Sequence, residues 1–324
     1  MQERDKKVGK KTIEKNAITE GVIWKQLLIF FFPIMLGTLI QQLYTTVDTI
    51  IVGRFVGKAA LASVGGPAAV LSTIVVTFFN GLANGAAVII AQYYGAKDRK
   101  SLHVGLHTAY LFSIVISLIV SLVGTVLTPW LLTIMNTPQD MMADSTIYLR
   151  IYFMGILFTL VYNMGAAIMR AVGDSRRPLL YLLVCCVMNI ILDIVMVVGM
   201  KMGIAGAALA TVISQCVSAI LVTWSLTRAY DAMKLKFREL RMDARVLKKE
   251  LKIGVPGALQ ACAYGVTNVV IQASVNSFGT DTAAGWAAYG KLDLIFWTVS
   301  SALGAAVTTF AGQNYGAGKM DRVY

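Results

Sequence analysis

The sequence predicts an all-α polytopic membrane protein, and three observations carry that prediction. Hydrophobic residues make up 57% of the 324-residue chain, whereas charged residues make up only 14%. The mean hydropathy is +0.68, which is too apolar for a soluble core. The segment 178–200, PLLYLLVCCVMNIILDIVMVVGM, contains no Lys or Arg and can cross a hydrocarbon core of about 30 Å as one helix.

Eight apolar segments are the predicted membrane spans. The polar N-terminal segment, residues 1–24, precedes them and lacks a cleavable signal pattern, so the first span is expected to stay in the protein. The spans lie at residues 25–53, 62–92, 103–128, 147–170, 178–200, 204–228, 251–277 and 286–312.

The positive charges between the spans predict the orientation. Assigning alternate connections to one side places 24 of the 29 Lys and Arg residues on the side of the N-terminus. By the positive-inside rule, the N-terminus is cytoplasmic in a multi-pass protein of the cell membrane. Orientation in the lipid therefore accounts for the net charge of +12, and nucleic-acid binding is not expected.

The longest connection, 229–250, is predicted to be a cytoplasmic linker between two lobes. Its leucines recur at helical spacing among many charges, which favours an amphipathic helix at the membrane surface. On this division, the N-lobe occupies 25–228 with six helices, and a partial C-lobe occupies 251–324 with two.

An internal repeat supports the division into lobes. The first span begins IFFFPIMLG around Pro33, and the seventh begins LKIGVPGAL around Pro256. The second span is followed by QYYGAK at 92–97, and the eighth by QNYGAG at 313–318, at nearly the same offset as the two prolines. Both copies start after an even number of crossings, so the repeat is parallel. We expect a complete six-helix N-lobe plus the first two helices of a C-lobe that is truncated at its C-terminus.

Two carboxylates lie at matching depth inside the predicted spans. Asp48 precedes Arg54 by six residues, Asp193 precedes Lys201 by eight, and Thr211 follows Lys201 by ten. At about 1.5 Å per residue, all three lie about 9–15 Å from the outer ends of their helices. Acids at membrane depth are costly, and they commonly mark ion or substrate pathways. Two such acids without a nearby cation must hold a proton or bind a cation.

Other polar residues surround this level. Asn189 lies one turn from Asp193, and Asn163 approaches from slightly below. Gln41 and Tyr44 share one helix face with Asp48, and Gln215 lies one turn from Thr211; these three are candidates to line a substrate cavity. The alternative is that such groups only join helices by hydrogen bonds. No hydrolase or ATP-binding motif is present, so we predict neither an enzyme nor a cofactor, and no metal site apart from a possible Na⁺ at the acids.

The chain resembles the multidrug and toxic compound extrusion (MATE) family along essentially its whole length. The motifs that carry the resemblance are LYTTVDTIIVGRFVG at 43–57, RAVGDSRRP at 170–178, NIILD at 189–193 and GIAGAALAT at 203–211. The resemblance implies twelve helices in two lobes around a central cavity, and a monomer when full length. It implies export of drug-like, often cationic small molecules in exchange for H⁺ or Na⁺. Its cation site maps onto Asp48, Asn189, Asp193 and Thr211, with Asn163 beside it.

The chain departs from part of the family pattern. Tyr264 stands where the NorM-like branch has a Glu, and Ile271 stands where the offset between Pro33 and Pro256 would place a partner for Asp48. Both departures favour the DinF-like branch. Two alternatives remain open: a lipid-linked oligosaccharide flippase of the related superfamily, which should have a more basic cavity, and a non-transporting fragment of a transporter.

Overall fold

The computed structural model describes residues 17–229, 231–276 and 280–324, and within these ranges the regular structure is helical, with no strand. The all-α prediction is confirmed, and each predicted span falls on a long helix, which in the second and fifth spans is joined to a π-helical turn. These helices are α1 Ile23–Phe55, α2 Ala69–Gly95, α3 Arg99–Ile134, α4 Gln139–Ala171, α5 Arg176–Asp193, α6 Gly203–Thr227, α7 Ala244–Asn276 and α8 Thr280–Gly316.

Seven helical stretches in the described part of the chain are long and apolar enough to cross a membrane. They comprise α1, α3, α4, α6, a stretch from Ala60 to the end of α2, a stretch from the start of α5 to Gly199, and the part of α8 from Asp293. The predicted span 251–277 overlaps α7, and its last residue, 277, lies outside the described residues. Helix α7 is not among the seven, and it begins with a run of Arg, Lys and Glu.

Two π-helical turns interrupt the regular helices. One, Val64–Ala68, joins the short helix Lys58–Ser63 to α2 and contains a kink at Gly66, where φ is −92° and ψ is −114°. The other, Ile194–Gly199, begins directly after Asp193 and extends α5. Such turns are frequent at functional sites, because they break the regular register of the helix.

Residues 231–243 of the predicted linker form no α-helix, whereas residues 244–250 are the first turns of α7. The chain makes two short 3₁₀ turns, Asp231–Met233 and Phe237–Glu239, and α7 starts at Ala244. Leu235 is buried in the N-lobe core, and its N–H donates to the carbonyl of Leu226 at 3.0 Å. The leucines of the linker therefore face protein rather than lipid.

Two histidines on α3 hold the linker in place. His107 is buried, its Nδ1 donates to the carbonyl of His103, and its Nε2 accepts from the N–H of Lys236 at 3.1 Å. His103 Nε2 lies 2.8 Å from Oε2 of Glu239. Lys236 also donates to Glu239, and this hydrogen bond lowers the pKa of that carboxyl. The linker is thus fixed to the N-lobe by polar contacts.

The ends of α2 and α8 cross in a way that follows the repeat. A Cβ on Gly95 would overlap the carbonyl of Gln313, and a Cβ on Gly316 would overlap the carbonyl of Gln92. The offset that relates QYYGAK to QNYGAG also relates Gly95 to Gly316 and Gln92 to Gln313. The two contacts are therefore equivalent. Reciprocal contacts of this kind are those of a two-fold axis, here a local one between the two copies.

Two further crossings join the lobes. On α2, a Cβ on Gly81 would overlap Ala258 of α7, and a Cβ on Gly85 would overlap the backbone of Gly254. The other crossing packs buried alanines of α8 against two phenylalanines of α1. Its four residues are Phe30, Phe31, Ala302 and Ala306.

The C-terminal end of the described chain clasps the segment before α1. Arg322 Nη2 donates to the carbonyls of Ile18 and Gly21, at 3.2 and 2.6 Å. Lys319 Nζ donates to the carbonyl of Thr19 at 2.9 Å. These cations bind two carbonyls of the short helix Ala17–Glu20 and the carbonyl of Gly21, directly after it.

Candidate functional site

The two acids predicted to share a site are brought together. Asp48 lies on α1 and is 9% exposed, and Asp193 is the last residue of α5 and fully buried. Their carboxyl groups interact electrostatically. The side chains of the described Lys and Arg residues form no ion pair with either acid. Two helices that are separate in the sequence thus bring the two acids within electrostatic range of each other.

The site contains more acceptors than donors. Oδ1 of Asp48, both carboxyl oxygens of Asp193 and Oδ1 of Asn189 are buried and make no standard hydrogen bond to the described residues. Asn189 Nδ2 donates to Thr211 Oγ1 at 3.5 Å, and Thr211 Oγ1 donates to the carbonyl of Ala207 at 3.1 Å. The hydroxyl proton of Thr211 is therefore already used.

Tyrosines form the rest of the surroundings. Tyr148 of α4 is buried and interacts electrostatically with both acids, and Tyr44 of α1 interacts with Asp48. Tyr148 stacks on Tyr152 one turn away, with ring centroids 6.2 Å apart. The sequence interpretation missed Tyr148, although its position two residues before Arg150 places it near the outer end of α4.

This arrangement can hold a proton or a cation. Unpaired acceptor oxygens at buried positions carry a large desolvation cost, which a proton or a bound cation would offset. Carboxylate, amide and hydroxyl oxygens are the ligands that hard cations prefer. Asp48, Asp193, Asn189 and Thr211 are the residues that would hold Na⁺, and the two acids alone could hold H⁺.

A cavity of about 330 Å³ lies between the N-lobe helices and α8. Of the predicted substrate residues, Gln41 lines it, but Tyr44 and Gln215 do not. Gln215 is buried on α6, and its Oε1 has no hydrogen-bond partner among the described residues. Asn163 lines this cavity rather than contacting the acid pair, and Tyr148 takes the position beside the acids on α4.

The cavity also contains residues that the sequence interpretation did not select. Asn80 and Asn84, one turn apart on α2, line it and also line an adjoining cavity of about 290 Å³ against α7. Their spacing of four residues could have identified them by the rule applied to Asn189 and Asp193. Arg170 lines the larger cavity, although in the sequence it reads as one more positive charge in a cytoplasmic connection.

A multi-helix bundle with buried acids and a polar cavity between two repeated lobes defines a membrane transport protein. Comparisons with known proteins identify its family. The profile of the MatE family matches residues 33–195. The chain is 34% identical over 312 residues to the "Probable multidrug resistance protein YpnP" of Bacillus subtilis strain 168, covering 94% of this chain and 68% of that protein. The chain belongs to the MatE family of multidrug transporters.

Further comparisons agree with this assignment. The "Probable multidrug resistance protein YoeA" of the same strain is 29% identical over 310 residues, covering 93% of this chain and 66% of that protein. A structure described as the outward-facing conformation of a multidrug resistance MATE family transporter matches the fold with a TM-score of 0.87 and 22% identity. That match covers 95% of this chain and 68% of the other. The chain therefore spans about two thirds of the length of these proteins.

Proposed function

We propose that this chain forms the N-lobe and the beginning of the C-lobe of an efflux antiporter, with its N-terminus in the cytoplasm. The transporter exports drug-like, often cationic small molecules in exchange for H⁺ or Na⁺. The observation that carries the proposal is the burial of Asp48 and Asp193 within electrostatic range of each other, surrounded by buried oxygens without donors. The names of YpnP and YoeA as multidrug resistance proteins support the export of drugs.

The acid pair is the proposed coupling site because binding or release of a proton or cation there changes the free energy of packing between the two helices that carry the acids. Asp48 belongs to α1, which lines the large cavity, and Asp193 lies where α5 passes into its π-helical turn. Binding of a cation draws the two helices together, and its release leaves two acids in repulsion. An ion can drive transport only if it favours one conformation over another, and a site shared by two helices meets that condition.

Neutralising either acid should uncouple the cycle. We expect Asp48→Asn and Asp193→Asn, made in the full-length protein, to lower gradient-driven dye efflux from proteoliposomes at least tenfold. Both variants should still insert into the membrane, because an amide is easier to bury than a carboxylate. The matched control is Asp140→Asn, which neutralises an exposed acid in the first turn of α4 and should leave efflux unchanged. If both site variants export dye at the wild-type rate, Asp48 and Asp193 are not the coupling site and have only a structural role.

The same proteoliposomes distinguish the coupling ion. Efflux driven by an imposed pH gradient in Na⁺-free buffer identifies H⁺. Efflux that requires a Na⁺ gradient at equal pH on both sides identifies Na⁺, with Asn189 and Thr211 completing the ligand set.

A further inference from the structure

Arg170 is a cation directed into a cavity inside the bundle. It lies in the last turn of α4 and lines the cavity of about 330 Å³. Among the described residues that line this cavity, it is the one with a formal charge. The cavity therefore has a positive group at the predicted cytoplasmic end, roughly 10 Å along α4 from Asn163 at about 1.5 Å per residue.

No acid among the described residues pairs with Arg170. Asp174, the acid closest to it in sequence, is bound by Arg177 instead, with Nε 3.2 Å from Oδ2. Asp174 Oδ1 also accepts the N–H groups of Arg176 and Arg177 at the start of α5. The acid of this connection is therefore engaged by Arg176 and Arg177, and Arg170 lines the cavity without an acidic partner among the described residues.

The remaining walls suit a molecule with one anionic group and an apolar body. Neutral polar side chains project from several helices and can bind polar substituents. Apolar side chains of α1, α5 and α8 complete the surface. The polar set is Thr38, Gln41, Asn80, Asn84, Tyr162, Asn163, Ser175 and Ser301, and the apolar set includes Pro33, Ile34, Leu179, Leu182 and Ala302. A volume of this size accommodates a small drug-like molecule or the head of a larger one.

We propose that Arg170 binds an anionic group, a carboxylate or phosphate, on an amphiphilic molecule that enters this cavity. The proposal rests on the proposed efflux function and adds a substrate class to it. Arg suits this role because its planar guanidinium can donate two parallel hydrogen bonds to a carboxylate or phosphate.

A binding measurement tests the proposal without any ion gradient. Purified full-length protein in nanodiscs of phosphatidylcholine is titrated with two xanthene dyes, anionic fluorescein and cationic rhodamine 6G. We expect Arg170→Gln to weaken fluorescein binding at least tenfold and to change rhodamine 6G binding less than twofold. Arg170→Lys should recover part of the loss, because it restores the charge without the planar fork. The matched control, Arg176→Gln, changes an exposed arginine on the same connection and should change neither dye.

Other outcomes separate this proposal from its alternatives. Equal loss of both dyes in Arg170→Gln, together with a lower melting temperature, would make Arg170 a structural cation at the C-terminus of α4 and overturn the proposal. If the wild-type protein binds rhodamine 6G but not fluorescein, the anion-binding role of Arg170 is wrong, but the proposed efflux function is unaffected. If the wild-type protein binds neither dye, the result counts against both the anion-binding role and the proposed efflux function.

The source of the anionic group is decided in a second set of nanodiscs. If the occupant is a lipid headgroup, phosphatidylglycerol should weaken fluorescein binding to the wild-type protein but not to Arg170→Gln. If it is a free solute, fluorescein binding should stay the same in both lipids and should be competed by octanoate.

Discussion

The two crossings between the lobes are related by the repeat but are built differently. Gly81 and Gly85 of α2 correspond to Ala302 and Ala306 of α8, at the offset that relates QYYGAK to QNYGAG. Their partners correspond as well, because the offset from Pro33 to Pro256 relates Phe31 of α1 to Gly254 of α7. The α2–α7 crossing therefore packs two glycines against a glycine and an alanine, whereas the α1–α8 crossing packs alanines against phenylalanines.

The difference suggests which crossing can move. At α2–α7 the backbones touch, and such contacts have little freedom to slide. At α1–α8 the rings of Phe30 and Phe31 separate the helices, and rings can change rotamer as helices shift. The larger cavity is lined by α1 and α8, next to the crossing with adjustable side chains. We expect α2–α7 to act as the pivot between the lobes and α1–α8 to open.

The largest effect should follow from filling the glycine crossing. Gly85→Leu would place a side chain against the backbone of Gly254 and the carbonyl of Glu250, which rotamer changes cannot relieve. We expect it to destabilise the protein by about 3 kcal/mol or more, beyond the usual cost of overpacking. Ala306→Leu, its counterpart, should cost less because the facing phenylalanines can move. Thermal unfolding of the purified variants measures both, and equal losses would contradict the proposed asymmetry.

A smaller loss of stability should follow from adding a methyl group at the crossing of α2 and α8, and the loss should be equal on the two helices. Gly95→Ala and Gly316→Ala each add a methyl group against a glutamine carbonyl of the other helix. We expect each to cost about 1–3 kcal/mol and to lower the melting temperature by the same amount. Gly304→Ala is the control, because a Cβ there has no heavy atom within 4 Å. A harmful change at Gly95 with a harmless one at Gly316 would show that the symmetry is only apparent.

The smallest effect should come from making the looser crossing resemble the tight one. Ala302→Gly gives α8 the residue found at Gly81, but Phe30 and Phe31 still separate the helices. We expect a loss of about 1 kcal/mol from helix propensity alone. Disulfide crosslinking between cysteines introduced on α1 and α8 should proceed at the same rate with and without the change. Faster crosslinking would mean that Ala302, rather than the rings, sets the spacing.

Much of the fold could be predicted because its determinants are local in sequence. Long apolar segments specify the helices, and the repeated QYYGAK and QNYGAG segments mark the same crossing in both copies. The linker helix could not be predicted correctly, because leucines at helical spacing look alike whether they face lipid or protein. The burial of Leu235 and two hydrogen bonds to the linker, one between His103 and Glu239 and one from the N–H of Lys236 to His107, decide between these possibilities. Both hydrogen bonds join α3 to a segment far away in the sequence.

The candidate site was only partly predictable for a similar reason. Counting residues from the outer charges estimates depth, and this was enough to place Asp48 and Asp193 at one level. Depth does not give the rotation of a helix about its axis. Rotation decides that Tyr148 contacts the acids, and that Asn163 and Arg170 line the cavity instead.

The clasp formed by Lys319 and Arg322 also has a consequence for biosynthesis. Its hydrogen bonds join residues separated by 300 to 304 positions. At about 5 to 20 residues per second, the ribosome needs on the order of 15 to 60 seconds to make that length of chain. During that interval the carbonyls of Ile18, Thr19 and Gly21 lack these donors. The clasp can therefore close, and join the N-terminal segment to the second lobe, only after α8 has been made.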